Sequence, residues 1–116
     1  RQAGPLWNVS AAAQTAGLAA LKCTGYEEGA AKLIAAERPY MVNALNDMGL
    51  KTYPTSANYI LFRSEKQLKE PLLKHGILIR ACGNFEGLDD SFYRVCVMEH
   101  EQNAELITAI KEVLHG

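Results

Sequence analysis

Hydrophobic and polar positions follow several periods along this chain, and each change of period marks a new element. From Ser10 nearly every residue is small or apolar, through Ala11, Ala12, Ala13, Ala16, Leu18, Ala19, Ala20 and Leu21. Alanine and leucine are among the least costly residues in a helix, so the stretch predicts one, capped by Ser10 or Asn8. After Gly25, apolar residues recur at spacings of three, four and seven through Ala30, Leu33, Ile34, Met41, Val42, Leu45 and Met48. That predicts a second helix over 27–48, ended by Gly49. Pro39 lies inside the pattern and should kink the helix or split it near Arg38, because proline has no amide proton and its ring presses on the preceding turn.

Beyond Gly49 the period shortens. Residues 50–53 form a short extended piece that Pro54 breaks, and 58–62 carry β-branched and aromatic residues in a continuous apolar run, as a buried strand does. Ser64, Glu65, Lys66 and Gln67 read as the cap and polar first turn of a short helix with Leu68, Leu72 and Leu73 as its buried stripe and Gly76 as its end. Ile77, Leu78 and Ile79 predict another buried strand. A loop from Cys82 to Ser91 leads to a strand over 92–97. The closing helix, 101–114, places Ala104, Ile107, Ile110 and Val113 or Leu114 on one face, with Glu99 and Glu101 favoured at its start by the helix dipole. The fold class is therefore α/β: a small α/β sandwich with helices packed on a mostly antiparallel sheet.

A length of 116 residues gives room for one core, and 48% hydrophobic residues with a net charge of -1 describe a folded globular chain rather than a disordered one. Twelve basic residues against thirteen acidic ones leave no surplus for neutralising phosphates, so no nucleic-acid partner is expected. No apolar stretch approaches the roughly 20 residues of a membrane helix, so no membrane partner is expected either. Cys23, Cys82 and Cys96 cannot all pair with one another, and they read as reduced thiols of a cytoplasmic protein. Of these, Cys96 is expected in the core and Cys82 on a loop that exposes its thiol. His75, His100 and His115 stand apart without metal-ligand spacing and read as surface or helix-end residues, so no metal is expected. The opening Arg1-Gln2-Ala3-Gly4-Pro5 has no initiator methionine, which predicts a fragment, and Trp7 is either a local staple or packs on a partner domain.

Arg80 and Arg94 are where chemistry enters. Arg80 closes an apolar run, and Arg94 lies inside a strand between Tyr93 and Val95. A guanidinium is costly to bury unless its planar fork meets a carboxylate or phosphate, which it does through two parallel charge-assisted hydrogen bonds. Either the two face one small anion from neighbouring strands, or each pairs with an acid of its own domain or points to solvent. The loop between them holds Gly83, Asn84 and Gly87, which permit close approach of backbone to a ligand or simply make a connecting turn. P-loop, G-x-G-x-x-G, G-x-S-x-G and H-E-x-x-H motifs are all missing from the sequence.

The run Gly76-Ile77-Leu78-Ile79-Arg80-Ala81-Cys82-Gly83-Asn84-Phe85-Glu86-Gly87-Leu88, with Phe92-Tyr93-Arg94-Val95-Cys96-Val97 after it, resembles the C-terminal small domain of fold-type I pyridoxal-phosphate enzymes. Pro5-Leu6-Trp7-Asn8-Val9-Ser10, Ser56-Ala57-Asn58-Tyr59-Ile60-Leu61-Phe62-Arg63 and Glu101-Gln102-Asn103-Ala104-Glu105-Leu106 fit the same template in order, so the likeness covers essentially the whole chain. Within that superfamily it is most similar to the threonine-phosphate decarboxylases of cobalamin synthesis and the histidinol-phosphate aminotransferases.

The resemblance implies that residues 1–116 are one C-terminal small domain, a helical lead-in over 1–50 and an α/β sandwich over 51–116. It implies that Arg94 grips the substrate's anionic group, usually an α-carboxylate, and that Arg80 helps hold a carboxylate or phosphate. The substrate would be a phosphorylated amino acid or amino alcohol, and the full-length enzyme a homodimer. Holding the carboxylate chooses the reaction: kept near the plane of the cofactor ring it leaves Cα–H to be broken, held perpendicular it is lost as carbon dioxide. None of Lys22, Lys32, Lys51, Lys66, Lys69, Lys74 or Lys111 lies in the Ser-x-x-Lys context that binds the cofactor in the family. The cofactor lysine is thus expected upstream of Arg1, with no catalytic or cofactor-binding residue in this chain, which would be inert alone. Met98 and Ala81 depart from the family pattern, where basic and polar residues are usual. A stand-alone small-molecule-binding or regulatory α/β domain is the competing class.

Overall fold

The computed structural model describes residues 9–116. Along the chain run α1 (Ala11–Ala20), α2 (Tyr26–Asp47), β1 (Lys51–Thr52), β2 (Tyr59–Arg63), α3 (Lys69–Lys74), β3 (Arg80–Ala81), β4 (Phe92–Cys96) and α4 (His100–His115). The chain divides into two compact units at Ala31 and Lys32, inside α2.

In the first unit, α1 begins at Ser10, whose hydroxyl accepts the Ala13 amide at 3.1 Å, so the cap falls on Ser10. Asn8 and Trp7 lie outside the described residues. No residue of α1 is buried.

The second unit holds the sheet, in the order β1-β2-β4-β3 with every pairing antiparallel. Period two fixes what each face carries. Ile60 and Phe62 of β2 and Tyr93 and Val95 of β4 point into the core, where they meet Met41 and Leu45 of α2, Leu72 of α3, and Leu106, Ala109 and Ile110 of α4. The opposite face carries Tyr59, Leu61 and Arg63 of β2 beside Phe92, Arg94 and Cys96 of β4. Helices on one face of an antiparallel sheet make the expected two-layer α/β sandwich.

Helices α2 and α3 end alike. Gly49 and Gly76 have φ of +78° and +75°, which lets the following Leu50 and Ile77 amides reach back to Leu45 and Leu72 carbonyls at 3.1 and 3.0 Å. This six-residue closure satisfies carbonyls that a helix end otherwise leaves open, and glycine is the residue that enters its left-handed position without strain.

Several expectations are corrected. Of the two effects expected of Pro39, the split does not occur, and α2 runs unbroken for 22 residues. The helix loses one backbone bond there, but Met41 and Leu45 are fully buried just beyond, and Arg38 Nη1 donates to the Ala57 carbonyl at 3.0 Å. The short helix starts at Lys69 with Leu68 as its cap residue, and Ser64 instead folds its hydroxyl onto the Lys66 carbonyl at 2.8 Å. Leu68 and Leu72 are buried, but Leu73 is half exposed. On α4 the buried stripe is Asn103, Leu106, Ala109 and Ile110, one position off the expected Ala104 and Ile107, which are only partly buried. Residues 77–79 do not form a strand; pairing begins at Arg80, and Leu78 is exposed while Ile79 is buried. Among the described residues no helix is long and apolar enough to cross a membrane, and no group of His, Cys, Asp or Glu is placed to hold a metal ion.

Candidate functional site: two arginines in register on the open sheet face

The β3–β4 ladder sets Arg80 directly opposite Arg94. Residues directly opposite in an antiparallel pair share a face, and like charges there destabilise the sheet unless something negative lies between them. Among the described residues neither arginine forms an ion pair. Arg80, which is exposed, donates from Nη2 to Asn84 Oδ1 at 2.9 Å, with its guanidinium carbon 5.6 Å from the Phe85 ring centre. Arg94 is half-buried and lies 4.3 Å over the Tyr59 ring, with no hydrogen-bond acceptor taking its N–H groups among the described residues. Glu105 lines the same hollow without forming an ion pair with either.

The hollow is a cleft of about 560 Å³ bounded by β3, β4, the segment before β3 and the first turns of α4. Tyr59, Leu78, Cys96, Met98 and Gln102 share its lining with the two arginines. A cleft of mixed lining with two adjacent guanidinium groups is suited to a small organic anion, the apolar part on Leu78 and Met98 and the charged part on the arginines. No lysine lines it. An amine for covalent attachment of pyridoxal phosphate is therefore not supplied by this wall, and its charged side chains fit a small anion. A second hollow of about 390 Å³ has Lys51, Arg63 and Lys66 around it, but two of these cations are already engaged. Arg63 Nε donates to Ser91 Oγ at 2.9 Å, and Lys66 Nζ donates to the Leu114 carbonyl at 2.6 Å. Ser91 in turn bonds Asp89 through its hydroxyl and its amide, and these two bonds hold that carboxyl below the usual range against the opposing effect of burial, Arg63 adding a smaller pull.

Both arginines named from the sequence thus come together in one cleft. Of the two readings of the loop between them, the connecting turn is the one these contacts support: Asn84 serves Arg80, and Gly83 leaves room for the Asp90 side chain. The cysteines reverse their expected places. Cys82 is buried, while Cys96 shares Arg94's face and lines the cleft. The histidines stay at helix ends or the surface, as expected.

One cluster was missed. Asn103 is 1% exposed, donates from Nδ2 to the Met98 carbonyl at 2.7 Å and to Glu37 Oε2 at 2.9 Å, and accepts the Met98 amide at 2.9 Å. His100 Nδ1 lies 3.1 Å from Glu37 Oε1, and its ring packs 4.9 Å from that of Tyr40. The Asn103 amide, and after it His100, hold the Glu37 carboxyl below its usual range, against the upward push of burial. This clasp ties α2 to the turn joining β4 to α4, and so fixes the cleft wall that carries Met98 and Gln102. The signal for it was Asn103 standing three residues before Leu106 and seven before Ile110, inside the buried stripe.

The family model described as Aminotransferase class I and II matches residues 1–110. Threonine-phosphate decarboxylase of Salmonella typhimurium (strain LT2) is 38% identical over 114 residues, covering 95% of this chain and 31% of that protein. The crystal structure of the histidinol-phosphate aminotransferase from Clostridium acetobutylicum superposes with a TM-score of 0.82 at 36% identity, covering 89% of this chain and 33% of that one. That of the histidinol-phosphate aminotransferase from Sinorhizobium meliloti, in complex with pyridoxal-5'-phosphate, superposes with a TM-score of 0.75 at 25% identity, covering 86% and 29%. The chain spans about a third of the length of the relatives it matches.

Proposed function

Because the chain belongs to the class I and II aminotransferase family, we propose that it is the C-terminal, anion-gripping domain of a longer pyridoxal-phosphate enzyme acting on a phosphorylated amino acid or amino alcohol. The observation that carries this reading is the register of Arg80 against Arg94, neither of them in an ion pair among the described residues, in the cleft that both line. Pyridoxal phosphate, when bound, supplies a ring that accepts the electrons of whichever Cα bond stands perpendicular to it. The part of this chain is orientation. Arg94 takes the substrate's anionic group through its two-pronged fork, and Arg80 holds the same group or a second one.

Threonine-phosphate decarboxylation is the reading we favour, supported by the 38% identity to the Salmonella enzyme and by the Arg-x-Cys-x-Asn-aromatic pattern from Arg80 to Phe85. A role in cobalamin synthesis, a cytoplasmic location and a homodimer of the longer chain go with it. Histidinol-phosphate transamination is the second reading, supported by the likeness to the Clostridium structure. Assaying the full-length protein with O-phospho-L-threonine for carbon dioxide release, and with histidinol phosphate plus 2-oxoglutarate for amino transfer, separates the two. In either case Arg94→Ala should lower kcat/KM by about 100-fold or more while cofactor absorbance persists. Kinetics unchanged by that substitution would remove Arg94 from the site and the reading with it.

A further inference from the structure

The Arg94 side chain makes no hydrogen bond to protein among the described residues, although it is half-buried and its usefulness depends on where its plane points. A flexible side chain that must present two parallel N–H groups loses binding energy whenever it has to be ordered at the moment of binding. What orders it here is an aromatic face. β2 pairs with β4 so that Leu61 stands opposite Arg94 and Tyr59 opposite Cys96, which brings the Tyr59 ring diagonally beneath the guanidinium at 4.3 Å. Diagonal neighbours on one face of an antiparallel pair lie within reach of long and aromatic side chains, and a planar cation over a ring face is attracted by the ring's quadrupole.

We propose that Tyr59 is a positioning residue for anion binding by Arg94. Its ring holds the Arg94 guanidinium flat against the sheet, so that the edge bearing the N–H groups is directed into the cleft before the anion arrives. This rests on the reading of Arg94 as the anion-holding residue. The ring face and not the phenol does the work, since the Tyr59 side chain makes no hydrogen bond among the described residues and only its backbone carbonyl is engaged, by Thr55 Oγ1 at 2.7 Å. Tyr59 is 39% exposed, so its replacement disturbs little of the core.

The test uses the full-length protein with Tyr59→Leu, Tyr59→Phe and Arg94→Ala, titrated calorimetrically with O-phospho-L-threonine and with histidinol phosphate. For whichever compound the unmutated protein binds, Tyr59→Leu should weaken binding about 5- to 30-fold, and Tyr59→Phe should restore it to within about twofold. In turnover the same loss should fall on KM, with kcat held within about threefold. Equal effects of Phe and Leu, or no effect of Leu while Arg94→Ala still abolishes binding, would overturn the positioning role and leave the anion site standing. Unaltered binding in Arg94→Ala, or no binding of either compound by the unmutated protein, would overturn both.

Discussion

Replacing Asn103 by alanine removes three hydrogen bonds from a side chain that is almost wholly buried. Two of them serve the amide and carbonyl of Met98, which close the turn from β4 into α4. At about 1 kcal/mol for each backbone bond lost, with a small further cost for the space vacated, the substitution should destabilise the fold by about 2–3 kcal/mol. For a unit of this size that corresponds to a fall of about 10–20 °C in melting temperature. The third bond, to Glu37, adds to this in the same direction. Urea unfolding followed by circular dichroism reads the total, and amide hydrogen exchange at Met98 reads the turn locally, whatever else the longer chain contributes. Asn103→Leu separates the causes: it refills the space but returns none of the bonds, so it should recover little. As a control, Lys111→Ala on the exposed side of α4 should stay within about 0.5 kcal/mol. A stability for Asn103→Ala equal to that of the control, or full recovery in Asn103→Leu, would refute the view that the clasp holds the turn by its hydrogen bonds.

Glu37 is expected to make stability pH-dependent. Its carboxyl is held below the usual range in the fold, so its contribution is present above the ordinary carboxylate pKa and fades as pH falls through the folded value. Urea midpoints taken between about pH 6 and about pH 3 should fall more steeply for the unmutated protein than for Glu37→Gln, and parallel curves would contradict the assignment. Gly76→Ala puts a Cβ where φ is +75°, in the turn that delivers the chain to Arg80, and should cost about 1 kcal/mol; equal melting temperatures would show that the turn tolerates the change.

How far the sequence reaches can be followed residue by residue. Strand parity is strictly local, and it is enough to set Arg94 on the face away from Tyr93 and Val95, which read plainly as core. Parity also places Cys96 beside Arg94 and away from the core, so the signal for the cysteine was present in the pattern; treating a small apolar residue in a strand as buried overrode it. Boundaries were harder to read. Ile77, Leu78 and Ile79 have the composition of a strand, but a strand exists only where a neighbour offers amides and carbonyls, and the pairing with β4 begins only at Arg80. The clasp of Glu37 and Asn103 joins residues 66 positions apart, and no period along the chain connects them. Register lies between these cases. That Tyr59 and Arg94 share a face follows from parity once β2 and β4 are known to pair, but that the ring lies under this particular cation depends on the register of the two strands, which only the assembled sheet decides.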